Sequence, residues 1–340
     1  MKDLLQYKKV IFPDYLDKMQ KRYHILHLIS LYEPIGRRLM IEQLRLPERF
    51  VRNELETLQQ LGLVISTTKG MMMTEEGKIT VHVLRDYIRE LSGLTALEEQ
   101  LQRKTAVEKV IIVAGDSDED SFVKEEIGRA TVQYLQSVID RDVSITVTGG
   151  TTMAAVADAM VPFGDHTCLF LPARGGIGEI VESQANTIAA KMAEKEKGNY
   201  RLLHVPDPLS ETLYESIIQE PSVADTLHLI KHADIVIHGI GNAMAMARRR
   251  HTNKEVIAQL KEKNALSEAF GYYFNEDGEV VHKVRTVGLQ LEDLTNPKHV
   301  ITVAGGKSKA QVIASYVQKK KTDILITDEA AASKMIQKYI

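Results

Sequence analysis

Four segments of this chain place glycines or a cation directly after a short apolar run. VTGG precedes Thr151 and Thr152, and LPA precedes Arg174, Gly175 and Gly176. VIHGIG ends in Gly241, and TVAGG precedes Lys307, Ser308 and Lys309. Glycine lets backbone N–H groups approach an anion with no Cβ in the way, and a helix starting just beyond adds a partial positive charge. Thr151 and Thr152 add hydroxyl donors, while Arg174, Arg249, Arg250 and Lys309 offer full charges. Taken singly, a glycine turn, a helix lysine or an arginine run is ordinary surface. Their recurrence at four places points to one shared anion pocket, and cations far apart in sequence suit a ligand with two phosphates. None of the four reads GxGxxG or GxxxxGK[ST], so a dinucleotide or a P-loop triphosphate is not indicated.

Acid–base chemistry has candidates in His238, Glu268, Asp116 and Asp118, but no nucleophile elbow, HExxH or Cys/His metal spacing accompanies them. DSDED at 116–120 lacks the EF-hand spacing and reads as a solvated loop or helix cap. The single Cys168 lies in the apolar run CLFLPA, cannot form an internal disulfide, and reads as a small buried side chain. The expectation is a binding protein rather than an enzyme, with no cofactor and no metal.

The elements that must hold these residues are legible from residue 109 onward. KVIIVAGD, VSITVTGG, HTCLFLPAR, YRLLHVPDP, DIVIHGIG, HVITVAGG and TDILITD are short apolar runs. Amphipathic stretches such as KEEIGRATVQYLQSVI, TTMAAVADAM and SKAQVIASYVQKK alternate with them. Continuously apolar strands between amphipathic helices predict an α/β domain with a Rossmann-like parallel sheet covered on both faces. In such sheets ligands bind beyond the carboxyl ends of the strands. GYYFNEDGEVVH, with its NEDG turn, predicts a hairpin beside the sheet.

The head of the chain is different. PDYLDKMQKRYHILHLISLYEP carries an apolar stripe at Tyr15, Leu16, Met19, Tyr23, Leu26 and Ile29. IGRRLMIEQLRL follows with Leu39, Met40 and Leu44 inward, and LPERFVRNELETLQQLGLV with Phe50 or Val51, Leu55, Leu58 and Leu61 inward. LVISTTKGMMMTEEG then reads as strand, turn at Lys69-Gly70, strand. This is the order of a winged helix-turn-helix, whose second helix enters the major groove with its N-terminal residues toward base edges. Those residues are Arg49, Phe50, Arg52 and Asn53; arginine pairs with guanine and asparagine with adenine. Arg37, Arg38 and Lys69 are placed for phosphates.

Between head and body, residues 79–107 form a helical linker carrying Leu84, Ile88, Leu91, Leu94, Leu97 and Leu101, weakened at Gly93. The predicted domains are thus 1–78 for DNA, 79–107 as linker, and 108–340 for ligand binding and oligomerisation. The 340 residues are 44% hydrophobic with a net charge of −3. Residues 1–88 hold 14 Lys/Arg against 11 Asp/Glu, and the rest 29 against 35, a basic head on an acidic body. The first twenty residues lack the apolar core of a signal peptide, and no run approaches the ~20 apolar residues of a membrane span. A cytoplasmic protein without a membrane partner is expected.

Together the stretches EPIGRR, VAGDSD, VTGGTT, LPARGGIGE, QANTIAAKMAEK, EAFGYYFNEDGEVVHKV and VAGGKSKAQVI make the whole chain resemble the SorC family of bacterial sugar-responsive transcription regulators. The resemblance implies an effector domain with the fold of sugar-phosphate isomerases and deaminases, repurposed for sensing. It further implies a repressor of a glycolytic operon, working as a homo-oligomer (dimer or tetramer) on operator double-stranded DNA, with fructose-1,6-bisphosphate as effector. By the same resemblance the phosphosugar contacts fall on Gly149, Gly150, Thr151, Thr152, Arg174, Gln184, Arg249, Arg250, Glu268 and Lys309. As ligand contacts, Gln184 and Glu268 enter only by this route. Two other readings stay open: a sugar-phosphate isomerase tethered to a DNA-binding domain, and an oligomerisation scaffold with a vestigial pocket.

Overall fold

A computed structural model describes residues 11–176, 180–207, 209–319 and 322–340. The expectations for the first ten residues, for the GIGE part of LPARGGIGE and for the end of SYVQKK lie wholly or partly outside them. The chain divides into two units, Met1–Ala96 and Leu97–Ile340.

The first unit begins with α1 (Pro13–Tyr32), α2 (Arg37–Leu44) and α3 (Glu48–Gln60), followed by β1 (Val64–Thr67), β2 (Gly70–Met73) and α4 (Glu75–Leu91). Proline at the first helical position starts α1, where a missing N–H costs nothing. Its buried face is Leu16, Tyr23, Ile25, Leu26, Leu28 and Ile29, whereas Tyr15 of the predicted stripe is exposed. Met40 is buried on α2 but Leu39 is exposed, and Val51, Leu55 and Leu58 are buried on α3 while Leu61 is exposed. The buried faces therefore turn slightly from the predicted stripes, each helix leaving one predicted apolar residue in solvent. Buried Glu54 on α3 is held by Lys18 at 3.3 Å and by Arg22, both on α1. The β1–β2 wing is antiparallel, and Ile35 adds a third rung through hydrogen bonds of 2.8 and 3.0 Å with Met71. Thr74 caps α4, its Oγ1 accepting from Gly77 N at 3.0 Å.

The segment predicted as one linker is two helices, α4 and α5 (Leu94–Lys104), interrupted at Ser92–Gly93. Helix α4 packs on α1 inside the first unit. The end of α5 belongs to the second unit, where Glu98 accepts a 2.7 Å hydrogen bond from Ile112 N.

The second unit continues with β3 (Lys109–Val113), α6 (Ser121–Val138), β4 (Val143–Val147), α7 (Thr151–Ala159), β5 (Cys168–Pro172), α8 (Ala185–Glu196) and β6 (Asn199–Tyr200). Next come α9 (Glu211–Ile217), α10 (Pro221–Lys231), β7 (Ile235–His238), β8 (Gly241–Asn242), α11 (Ala243–Arg249) and α12 (Lys254–Glu262). It ends with β9 (Ser267–Ala269), β10 (Tyr272–Phe274), β11 (Val280–Lys283), β12 (His299–Val303), α13 (Ala310–Val317), β13 (Ile324–Asp328) and α14 (Glu329–Lys338). Seven strands form one parallel sheet in the order β3-β13-β12-β7-β4-β5-β6. Its central strands are buried along their length, as the apolar runs required. Fully buried Phe170 belongs to this core, and Phe170→Ala would cost roughly 3–5 kcal/mol.

The predicted hairpin is present as β10–β11, joined by β9 and β8 into a small antiparallel sheet. From β4 the chain runs outward to β5, and from neighbouring β7 it runs the other way to β12. A crevice at the carboxyl ends of β4 and β7 is therefore the topological switch point, where open α/β sheets bind ligands.

Candidate functional site

A cavity of about 270 Å³ opens at that switch point, close to the lower end of the usual size for small-molecule sites. Its walls come from the four segments singled out in the sequence. The β4–α7 turn contributes Thr148 to Met153, the end of β5 Arg174 and Gly175, the end of β7 Gly239 to Asn242, and the β12 side Val303 and Lys309. The small sheet adds Glu268, Ala269 and Phe270, α11 adds Arg249, and the turn before α8 adds Ser183 and Gln184. Sequence reasoning missed Thr148, Ser183, Asn242, Met246 and Phe270, which have no signal of their own beyond proximity to the motifs.

Helix α7 starts at this cavity because Gly150, with φ +125°, supports a turn that L side chains rarely adopt. Thr151, Thr152 and Met153 are its first three residues, whose N–H groups have no acceptor within the helix. Gly150 N itself donates to Ser183 O at 2.8 Å, which ties the turn to the loop before α8. That loop carries Ser183, and Arg249 donates to the Ser183 hydroxyl at 3.1 Å.

Arg174 is largely buried and faces two acids, Glu268 Oε1 at 3.5 Å and Asp207 Oδ2 at 3.8 Å. Burial pushes the Asp207 carboxyl up, against the pull of Arg174 and Arg250. Its two oxygens are buried without a hydrogen-bond partner among the described residues. Glu268 is the better-served acid: Arg250 Nη2 lies at 2.7 Å and Gly271 N donates at 2.7 Å. Burial alone would raise Glu268, but Arg250 and Arg174 outweigh it and hold its carboxyl below the usual range. The turn that presents Glu268 is strained, since Phe270, beside it on the cavity wall, has φ +54°.

Of the predicted contacts, Gly149, Gly150, Thr151, Thr152, Arg174, Gln184, Arg249, Glu268 and Lys309 line the cavity. Arg250 does not. Its side chain is 1% exposed and is committed to Glu268 and to the Tyr273 hydroxyl at 3.0 Å, so it stands behind Glu268. Reading the arginine run as one cationic group missed this, because successive helix residues face different ways. Lys309 is half-buried, and its side chain forms no hydrogen bond or ion pair with the described residues; burial and nearby Lys124 lower its pKa.

The acid–base candidates are otherwise engaged. His238 is fully buried beneath the cavity, its Nε2 2.9 Å from Thr302 Oγ1, and burial holds its pKa down to about 4. Asp116 and Asp118 accept from backbone N–H groups of the β12–α13 loop, and Asp120 caps α6. Buried Cys168 is pushed up to about 12, chiefly by burial, and is inert. Among the described residues no group of His, Cys, Asp and Glu could hold a metal ion.

In the first unit, Arg37, Arg38, Arg49, Arg52, Asn53 and Lys69 are all exposed, the first pair at the start of α2 and the next three in the first turns of α3. Lys69 sits at the wing turn. Phe50 is half-buried, with the Lys21 ammonium 5.7 Å from its ring centroid, so only part of the ring is presented outward. Among the described residues Arg52 is restrained only by an exposed ion pair with Glu48 at 3.4 Å, which is worth little in water.

Residues 89–337 match the family described as “Putative sugar-binding domain”, and residues 18–88 match the CggR N-terminal DNA binding domain. The chain belongs to the SorC family. SorC relatives include two proteins named Central glycolytic genes regulator. The one from Priestia megaterium is 49% identical over 341 residues, covering 100% of both chains, and the one from Bacillus subtilis is 48% identical over 338 residues, covering 99% of each. A solved SorC transcriptional regulator structure from Enterococcus faecalis is 44% identical with a TM-score of 0.68, covering 71% of this chain and 99% of its own. The protein is thus a SorC-type transcription regulator with an N-terminal DNA-binding domain and a C-terminal sugar-binding domain. No helix among the described residues is long and apolar enough to cross a membrane.

Proposed function

We propose that this SorC regulator represses a glycolytic operon and that fructose-1,6-bisphosphate, bound in the β4/β7 crevice, weakens or remodels its grip on the operator. The observation that carries this reading is the cavity itself, where Thr151, Thr152, Arg174, Arg249 and Lys309 converge from separate loops. The names of the two full-length relatives support the glycolytic setting. One phosphate sits on the first turn of α7 with the Thr151 and Thr152 hydroxyls and Arg174, and Lys309 meets the other. Gln184 and Glu268 take sugar hydroxyls, with Arg250 holding Glu268 in place. In the first unit, Arg49, Arg52, Asn53 and the outward part of Phe50 read bases while Arg37, Arg38 and Lys69 grip phosphates. Paired heads of a homo-oligomer would read a repeated operator in the cytoplasm.

A ligand shifts DNA affinity only by its preference for one conformation, and a coupling of about 1–3 kcal/mol is typical. The engagement of His238, Glu268, Asp116 and Asp118 by their neighbours favours this sensing role over the isomerase reading. The test is a gel shift on a duplex selected from a random pool by the purified protein, with and without fructose-1,6-bisphosphate. A changed shift and no turnover of the sugar phosphate support the proposal; an unchanged shift or steady turnover refutes it.

A further inference from the structure

The glycine pair at the end of β12 is a ready anion cradle, and the protein fills it with its own carboxylates. Gly306 N donates to Asp328 Oδ2 at 2.6 Å, Lys307 N to Asp116 Oδ1 at 3.1 Å, and Ser308 N to Asp118 Oδ2 at 2.6 Å. Asp116 Oδ1 also accepts from Asp118 N at 3.0 Å, which locks the acidic turn, and Ser117 N and Oγ donate to Asp328 at 3.0 and 2.6 Å. Gly306 has φ +102°, and a Cβ there would collide with the Asp118 carboxylate. A Cβ on Gly305 would sit 2.6 Å from Asp328 Oδ2. The glycines are thus required by internal acids, not by a bound ligand.

Two consequences follow. The N–H groups of Gly306, Lys307, Ser308 and Lys309 are already committed, so an anionic group at this end of the cavity is met, among the described residues, by the side chain of Lys309. That side chain has no hydrogen-bond or ion-pair partner among the described residues and emerges from the one-turn helix Lys307–Lys309 whose backbone the acids hold.

We propose that Asp116 and Asp118 are positioning residues for Lys309: by clamping the Lys307 and Ser308 N–H groups they fix its ammonium on the cavity wall and so set the preference for a sugar carrying two phosphates over one carrying one. This rests on the pocket reading given under Proposed function.

The experiment is calorimetric titration of the full chain with fructose-1,6-bisphosphate and with fructose 6-phosphate. Wild type binds the bisphosphate more tightly. Asp118→Ala, which removes the acceptor, lowers bisphosphate affinity on the order of tenfold while leaving monophosphate affinity unchanged, so the ratio collapses. Asp118→Asn retains an acceptor for Ser308 N and restores most of the ratio. Asp116→Ala is the parallel variant should Asp118→Ala not fold. An equal loss of both ligands, or an unchanged ratio in both alanine variants, overturns the clamp as a positioning device. Equal affinity of wild type for the two sugars overturns it as well, while leaving the pocket intact. Failure of wild type to bind either sugar refutes the pocket reading and this inference with it.

Discussion

Arg250 Nη2 lies 2.7 Å from Glu268 Oε1, and both side chains are almost wholly buried, Glu268 on the cavity wall and Arg250 behind it. A buried pair of this kind is costly to break because the survivor keeps its charge without its partner. Arg250→Met should therefore destabilise the second unit by roughly 3–5 kcal/mol in urea denaturation. Arg174→Ala, at the cavity itself, should abolish the response to effector while operator binding persists. Equal destabilisation by the two variants would contradict this division of labour.

Asp207 is a buried acid beside Arg174 with no hydrogen-bond partner among the described residues. Ionised, it competes with an incoming phosphate for that guanidinium. Asp207→Asn should tighten fructose-1,6-bisphosphate binding on the order of tenfold, read by calorimetry. Weaker binding would show that Asp207 instead holds Arg174 in its binding position.

His238 gives a pH dependence of definite sign. Its pKa falls from 6.5 to about 4 on burial, so the unfolded chain takes up a proton that the folded chain refuses. The stability linked to this residue is complete above pH 6.5 and is lost as pH falls toward 4, by roughly 3 kcal/mol. His238→Gln should flatten this part of the acid limb in denaturant midpoints measured across that range. An acid limb identical to wild type would show that the linkage lies elsewhere.

On the DNA side, Arg52→Ala should weaken operator binding by about 1–3 kcal/mol and relax specificity at one base pair. Lys69→Ala should weaken all sequences alike and reduce the salt dependence. Fluorescence anisotropy on the selected duplex and on point variants distinguishes the two. A uniform loss for Arg52→Ala would reassign it to the phosphate backbone.

The sheet was legible because its strands are buried on both faces and read as unbroken apolar runs, as in DIVIH and HVITV. The winged head was legible from its stripes and turns, though Tyr15, Leu39 and Leu61 lie outside the core that their spacing predicted. Helix α12 was missed although Asn253 caps it, accepting from Val256 N at 2.8 Å, because that cap sits in the unremarkable stretch HTNKEV. For the site, Thr151, Thr152, Arg174 and Lys309 were found because glycines mark strand ends. Asp207 and the backing role of Arg250 were invisible, since both depend on which side of a local turn a side chain falls, and a run of identical cations hides that. The GGKSK loop shows the same limit: sequence sees two glycines and expects an external anion, whereas folding brings Asp116 and Asp118 to it from far along the chain.

The central claim is that this crevice takes a doubly phosphorylated sugar. Thermal denaturation of the full chain with increasing fructose-1,6-bisphosphate tests it most directly, because a ligand that binds only the folded state must stabilise it, by about 2.7 kcal/mol at a hundredfold excess over Kd. A midpoint that climbs with ligand in wild type and stays flat in Arg174→Ala is the predicted result. A midpoint indifferent to ligand in wild type, or one that climbs equally in both proteins, would contradict the account.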